Sequence, residues 1–415
     1  PQCSSDEEAG ALVGLCLRIA GISLTVFLVL AWFGAPVLAE LFKTPELSWF
    51  IPILPVMLLA QTLGILGKQW AAYRERFVPV AVTDGLSTLT RRVLPIPLGL
   101  TVFPSATGMF IGFVLAPLTS AFVMMFSFLG DLRRTVRFTG PAIGKVARTY
   151  RNFPIHLSGV TLLDMVSLAA PAFILGLYCS LTEVGWFGQA FALLTLPVSL
   201  LTQAAARTFY PRLAKEYQSG GNIGVLVSRL LKAVVDLGLY PLCALAVLAP
   251  DVWAIFLGEE FRMSGYMGRL MVPHIIMILL WSPISVAVNV LNRQPAFLKQ
   301  TVVLTVLRVT ALWVGVAYGS LLGAVFAYSM VNAIFKVGQL GWLLGATATP
   351  VGEMAREMSV RAGGIIVLIT GLVTLRLYEV HLLWQFVAAA LGWGVYLMVA
   401  LKVSPESRAL AQRVL

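Results

Sequence analysis

About twelve apolar stretches, each long enough to cross a bilayer, follow one another with little chain between them. A water-soluble fold cannot absorb them. Hydrophobic residues make up 59% of the chain, charged residues 12%, and the mean hydropathy is +0.87. In water this composition would leave apolar patches far larger than a soluble monomer carries. In lipid the same surface is matched, provided each backbone polar group is satisfied inside its own helix. The chain is therefore expected to be an all-α polytopic membrane protein. The spans are read at about 11–32, 46–66, 78–102, 107–128, 153–177, 183–206, 225–249, 267–292, 298–317, 319–345, 357–376 and 381–401.

The net charge of +11 raises the question of nucleic acid. Its placement answers otherwise. One alternating set of connections holds nineteen Lys and Arg, the other only four (Lys43, Arg262, Arg269 and Arg376). That asymmetry follows the positive-inside rule, so the rich set is expected on the cytoplasmic side, facing anionic lipid head groups. A nucleic-acid site would need a soluble basic module with interleaved aromatics, and no nucleic-acid partner is expected.

The four cysteines show no CxxC or other metal spacing, and HExxH, P-loop, GxSxG and GxGxxG patterns are missing from the sequence. No metal, cofactor or catalytic group is predicted, and the chain is read as something other than an enzyme. The sequence opens on Pro1 and a polar, acidic PQCSSDEEAG segment, which suggests that the true start lies further upstream.

Organisation follows from the connections. Residues 1–130 hold four spans and read as an incomplete N-terminal lobe. A basic linker with Gly and Pro occupies 131–152, six spans fill 153–346, and a last helix pair with its tail takes 347–415. Two lobes joined by a basic linker is how repeat-built transporters are arranged. Residues 208–237 combine a basic loop with an amphipathic helix start, and 249–268 reads as an outer loop with an interfacial helix.

Ionisable residues at membrane depth mark pathways or pairs. The third span carries Asp84, Arg91 and Arg92; Asp84 and Arg91 share a face, whereas the two arginines point about 100° apart, so at most one aims straight into a cavity. The fifth carries Asp164 between Thr161 and Ser167. Ser199 and Gln203 line up on the sixth, Thr301, Thr305 and Arg308 on the ninth, and Ser329, Asn332 and Lys336 on the tenth. Arg18 lies on the first. Arg18 and Lys336 are candidates either for a cavity or for snorkelling to phosphates, and Asp84 and Asp164 either for ion coupling or for joining helices. His274, after Pro273, reads as an interfacial histidine. The set is cationic on balance, which suits an anionic substrate, because guanidinium groups hold phosphate and carboxylate in bidentate fashion.

Three strings add a resemblance. LTEVGWFGQAFALLTLPVSLLTQAAARTFYPRLAKE, IFLGEEFRMSGYMGRLMVPHIIMILLWSPISVAVNVLNRQ and ELFKTPELSWFIPILPVMLLAQTLGILGKQWAAYRERF resemble segments of the polysaccharide and O-antigen flippases. These belong to the multidrug/oligosaccharidyl-lipid/polysaccharide exporter superfamily. The resemblance implies a two-lobed bundle, with two N-terminal helices missing if the chain is a fourteen-helix member. It implies transport of undecaprenyl-pyrophosphate-linked oligosaccharide across a bacterial inner membrane for polysaccharide or lipopolysaccharide assembly, with a polysaccharide polymerase as a possible neighbour. The family's cationic cavity would correspond to Arg91, Arg308 and Lys336, with Arg92 and Arg18 beside them and Thr301, Thr305, Asn332, Ser199 and Gln203 as polar lining. The last helix pair resembles one that forms a lipid-tail groove in lipid II flippases. A drug or ion antiporter of the same superfamily is the second reading, and a membrane-embedded assembly enzyme or scaffold the third.

Overall fold

The structure, a computed structural model of the chain, describes residues 6–99, 106–135, 144, 147–148, 152–291 and 293–403. Most of the basic connection at 131–152 lies outside the described residues. The chain divides into two units, Pro1–Gly159 and Val160–Leu415. Each predicted span has its helix. The first unit contains α1 (Asp6–Leu41), α2 (Leu54–Tyr73), α3 (Val78–Arg92) and α4 (Ala106–Thr135). Next come α5 (Asn152–Tyr178), α6 (Leu181–Gln218), α7 (Ile223–Leu257) and α8 (Arg262–Ile284). The chain ends with α9 (Gln294–Tyr318), α10 (Leu321–Ala346), α11 (Val351–Leu377) and α12 (Leu382–Val403). Among the described residues, ten helices are long and apolar enough to cross a membrane, α2 with the short turns that precede it from Leu47. In α5 the apolar part is Met165–Tyr178.

Local chemistry sets several boundaries. Ser180 caps α6: its Oγ accepts from the Glu183 N–H at 3.3 Å, while Glu183 Oε2 accepts from the Ser180 N–H at 2.8 Å. This capping box satisfies backbone donors that the first turn leaves unpaired. Asn222 and Ser320 cap α7 and α10 in the same way. The third span departs from expectation. It is interrupted after Arg92: a turn at 93–94 leads into a further helical piece at 95–99, and residues 100–105 lie outside the described residues. Pro95 has no N–H to offer the Arg91 carbonyl, and its ring crowds that carbonyl, so the helix ends there. The expected outer loop at 249–268 is instead helical: α7 continues to Leu257, a turn at Glu259–Phe261 follows, and α8 starts at Arg262. Gly258, at φ 106°, makes the reversal that a side-chain-bearing residue resists.

A repeat appears in the helix order. Helices begin at Leu47 and Val78 in the first unit and at Arg262 and Gln294 in the second, steps of 215 and 216 residues, and the helices before and after them follow in the same order in both units. The packing repeats as well. In the first unit α2 and α4 run parallel, with Gly64 against Ser120 and Gly67 against Met124. In the second, α8 and α10 run parallel, with His274 against Ser329 and Trp281 against Lys336. Likewise α3 and α4 are antiparallel through Arg91 and Phe113, and α9 and α10 through Arg308 and Asn332.

The second unit is built around a large core that draws on α6, α7, α8 and α10, including Trp253, Met271, Leu279 and Tyr328. The amphipathic start of α7 is as expected, with Leu230 and Val234 buried and Arg229 exposed. The final helix pair packs on α7. Asp236, 1% exposed, accepts from Arg361 Nε at 2.9 Å and from the Tyr396 hydroxyl at 3.3 Å. Fifteen residues further along both helices, Asp251 accepts from Arg376 at 2.5 Å. Lys232–Glu357 and Arg262–Asp251, each at 2.6 Å, reinforce the two ends.

Candidate functional site

The first unit holds a cavity of about 300 Å³ bounded by three helices. Gln61, Ile65 and Lys68 come from α2, Ser87, Thr88, Arg91 and Arg92 from α3, and Ala116, Pro117 and Ser120 from α4. Pro117 and Ser120 sit near the middle of the apolar span Phe110–Phe128, so the cavity lies at membrane depth. Helical geometry explains the lining. Gln61, Ile65 and Lys68 are spaced i, i+4, i+7 and share one face, as do Ser87, Thr88 and Arg91 on α3. Arg91 and Arg92 both reach the cavity despite pointing about 100° apart, because their long side chains stand at the very end of α3.

The charges of this cavity are unequal. Lys68 pairs with Asp84 at 2.5 Å. Arg91 lies over the Phe113 ring at 5.4 Å, a cation–π contact that orients the guanidinium without neutralising it. Neither Arg91 nor Arg92 has a carboxylate partner among the described residues. Asp84 and Arg91, placed on one face by their spacing, are thus separated in role: Asp84 serves Lys68. Lys68 falls just past the span expected at 46–66; the helix runs on to Tyr73 and carries it into the cavity wall. Its i+7 spacing from Gln61 was the available signal.

The second unit gathers another set. Arg308 on α9 is 7% exposed. Its Nη1 donates to Ser167 Oγ on α5 at 2.7 Å, and its Nε donates to Asn332 Oδ1 on α10. The Asn332 amide in turn donates to the Tyr328 carbonyl at 2.7 Å, which fixes which way it faces. Lys336, 9% exposed, sets its ammonium 5.4 Å from the centre of the Trp281 ring, itself stacked on Phe297. Thr301 and Thr305 are buried, and their hydroxyls return to carbonyls of their own helix. The antiparallel register set by Arg308 and Asn332 places Thr305 level with Lys336 and Thr301 level with Gln339.

His274 departs from the interfacial reading. It is 2% exposed, between the Phe191 and Tyr328 rings, and its backbone N–H points at Ser329 Oγ at 3.3 Å. Its Nδ1 and the Oε1 of buried Gln339 have no hydrogen-bond partner among the described residues. Neither residue was singled out for this in the sequence; Gln339 continues the Ser329, Asn332, Lys336 spacing by one more step.

The remaining candidates fall elsewhere. Arg18 is exposed on α1 and does not border the three-helix cavity. Ser199 donates to the Leu196 carbonyl of its own helix, and Gln203 is exposed one turn on. Asp164 is on α5, three residues before Ser167, but its side chain lies outside the described ones.

The family model for polysaccharide biosynthesis proteins matches residues 17–264. The chain belongs to this family. Among solved structures, the lipid II flippase MurJ in its inward closed conformation is similar over 95% of this chain and 84% of its own, with a TM-score of 0.73 at 14% identity. At that identity the likeness establishes the fold. No curated protein matches the chain. The family and the exporter fold implied by the sequence strings are therefore both found, and the all-α polytopic architecture with them.

Proposed function

We propose that the chain is a flippase that moves undecaprenyl-pyrophosphate-linked oligosaccharide units from the cytoplasmic to the periplasmic leaflet of a bacterial inner membrane by alternating access. The polysaccharide biosynthesis family and the fold shared with a lipid II flippase support a lipid-linked saccharide as the cargo class. The observation that carries the reading is the pair of guanidinium groups at membrane depth, Arg91 and Arg92, lining a cavity with no carboxylate partner among the described residues. A pyrophosphate head group cannot cross hydrocarbon unaided, and cations in a wet cavity replace the water it leaves. Arg308 and Lys336 add a second cationic station in the other unit. Gln61, Ser87, Thr88 and Ser120 supply hydrogen-bonding groups that suit phosphate or sugar oxygens.

A cation-exporting antiporter would need leading carboxylates. Asp84, Asp236 and Asp251 are each engaged by Lys or Arg. We keep Asp164 and Asp84 as the carboxylates through which an ion gradient would couple.

The experiment is complementation of a bacterium lacking its own O-antigen flippase, with membrane levels checked. Wild type is expected to restore surface polysaccharide, and Arg91→Ala and Arg92→Ala to fail at equal expression. Restoration by the arginine variants would remove the cationic cavity from transport. Failure of wild type across several polymer backgrounds, with drug efflux present, would favour the antiporter.

A further inference from the structure

The interruption of α3 leaves backbone groups without partners. Beyond Arg92 the chain makes the hydrogen bonds of a turn. The Val93 and Leu94 N–H groups both donate to the Leu89 carbonyl, at 2.8 and 3.1 Å, and the Ile96 N–H donates to the Val93 carbonyl at 3.2 Å. An uninterrupted helix would direct the N–H groups of residues 94, 95 and 96 to the carbonyls of Thr90, Arg91 and Arg92. Residue 95 is a proline and has no N–H. The carbonyls of Thr90, Arg91 and Arg92 therefore accept no hydrogen bond among the described residues.

The corresponding helix of the second unit has no such gap. At the step of 217 residues that matches Arg91 to Arg308, Leu312 and Val314 stand where α3 has Pro95 and Pro97, and α9 runs unbroken from Gln294 to Tyr318. The neighbouring helix accommodates the break. A Cβ at Gly112 on α4 would lie 2.3 Å from Pro95 Cγ, so only a glycine leaves room for the ring.

Position decides what the three carbonyls can meet. Gly112 and Phe113, the α4 residues against this part of α3, belong to the apolar span Phe110–Phe128, and hydrocarbon offers no donor. The polar side of the break is the cavity, which Arg91 and Arg92 line from the same last turn. A carbonyl accepts and does not donate. Ionised pyrophosphate is an acceptor too, so these carbonyls repel it, and the adjacent guanidinium groups repel a metal cation. A neutral group rich in O–H donors meets both conditions. The cavity volume of about 300 Å³ is small for a ligand pocket and admits a single sugar rather than a repeat unit.

We propose that the break in α3 is a sugar subsite: the carbonyls of Thr90, Arg91 and Arg92 accept hydrogen bonds from hydroxyls of the first sugar of the cargo, and Pro95 and Pro97 are positioning residues that keep those carbonyls open. The choice of a sugar rests on the flippase reading. The subsite adds to that reading a group that distinguishes saccharide from phosphate.

The test compares two probes on the full chain in nanodiscs, undecaprenyl pyrophosphate and the same lipid carrying one glucose. Wild type is expected to bind the glucosyl lipid about tenfold more tightly, the effect of about one or two net hydrogen bonds. Pro95→Leu with Pro97→Val, the residues found at the matching positions of α9, is expected to close the helix and bring the ratio of the two affinities close to one. Hydrogen–deuterium exchange reads the closure separately, as slower exchange across residues 93–98. Pro95→Ala is the milder variant; it restores a donor for the Arg91 carbonyl alone and is expected to lose part of the preference. Equal affinity of wild type for the two probes, or a preference that survives closure of the helix, would overturn the proposal. So would binding of the bare lipid that rises with sodium in wild type and not in the double variant, since the carbonyls would then serve a cation. The two readings fail separately: export restored in cells by a chain with no preference for the glucosyl lipid removes the subsite, whereas preference without export removes the flippase.

Discussion

Asp236 on α7 accepts a hydrogen bond from Arg361 on α11 at 2.9 Å, and the same two helices pair again fifteen residues later through Asp251 and Arg376. Equal steps on both helices mean that they run parallel and in register over about 22 Å. The final helix pair is thereby fixed to α7 at two levels. Arg361→Ala leaves the Asp236 carboxylate buried without its main partner, a change expected to cost about 3 kcal/mol. Thermal unfolding in detergent is expected to show the loss, and an Asp236→Asn, Arg361→Gln double variant to recover most of it. An Arg361→Ala protein that melts like wild type would show the pair to be dispensable.

Arg308 reaches Ser167 and Asn332 with separate nitrogens of one planar group. A lysine has one ammonium and cannot reproduce that fork. Arg308→Lys is therefore expected to lower transport about tenfold or more while keeping the positive charge, because the loss of one charge-assisted hydrogen bond is worth about 1.5–3 kcal/mol. Surface polysaccharide measured at matched expression decides it; full activity would mean that charge alone suffices at this position.

The Asp84–Lys68 pair is partly exposed, at 59% and 31% of the two side chains. Pairs of this kind contribute about 0–1 kcal/mol. Asp84→Asn should leave the protein nearly as stable as wild type and raise the positive charge of the cavity. Tighter binding of inorganic pyrophosphate, read by calorimetry and lost at high salt, is the expected result. Weaker binding would mean that Asp84 positions Lys68 for the ligand.

Cys179 lies in the turn between α5 and α6, beside the capping Glu183. Burial, and then the Glu183 carboxylate, push its thiol above the ordinary value. Only the thiolate reacts, so in a variant retaining Cys179 as its single cysteine, maleimide labelling should be slow at pH 8 and rise at higher pH than for a free thiol. Glu183→Gln should shift that rise downward. Equal profiles for the two would remove Glu183 as a cause.

Helix number and the cationic bias were legible in the sequence because both depend on one-dimensional patterns: apolar length, and Arg or Lys set inside it. Arg308, Asn332 and Lys336 were found by spacing, and the structure brings Arg308 and Asn332 into contact. The cavity wall was only half visible. Arg91 and Arg92 stood out, but Lys68 was hidden at the end of a span whose true length depends on packing. His274 was misplaced because a histidine after a proline near a predicted boundary looks interfacial, and only the Phe191 and Tyr328 rings reveal its burial. The correspondence between the two units is not legible in the sequence, for a simple reason. Lipid-facing positions accept any apolar residue, so 215 residues apart the two copies share helix limits and contacts far more than identities.

One exception to that drift is Thr88-x-x-Arg91 in the first copy and Thr305-x-x-Arg308 in the second, both at a step of 217. The matching arginines have met different fates. Arg308 is fastened by a hydroxyl and an amide from neighbouring helices, and Arg91 rests on an aromatic face beside an open cavity. The helices that correspond between the two units therefore carry matching arginines in different electrostatic company.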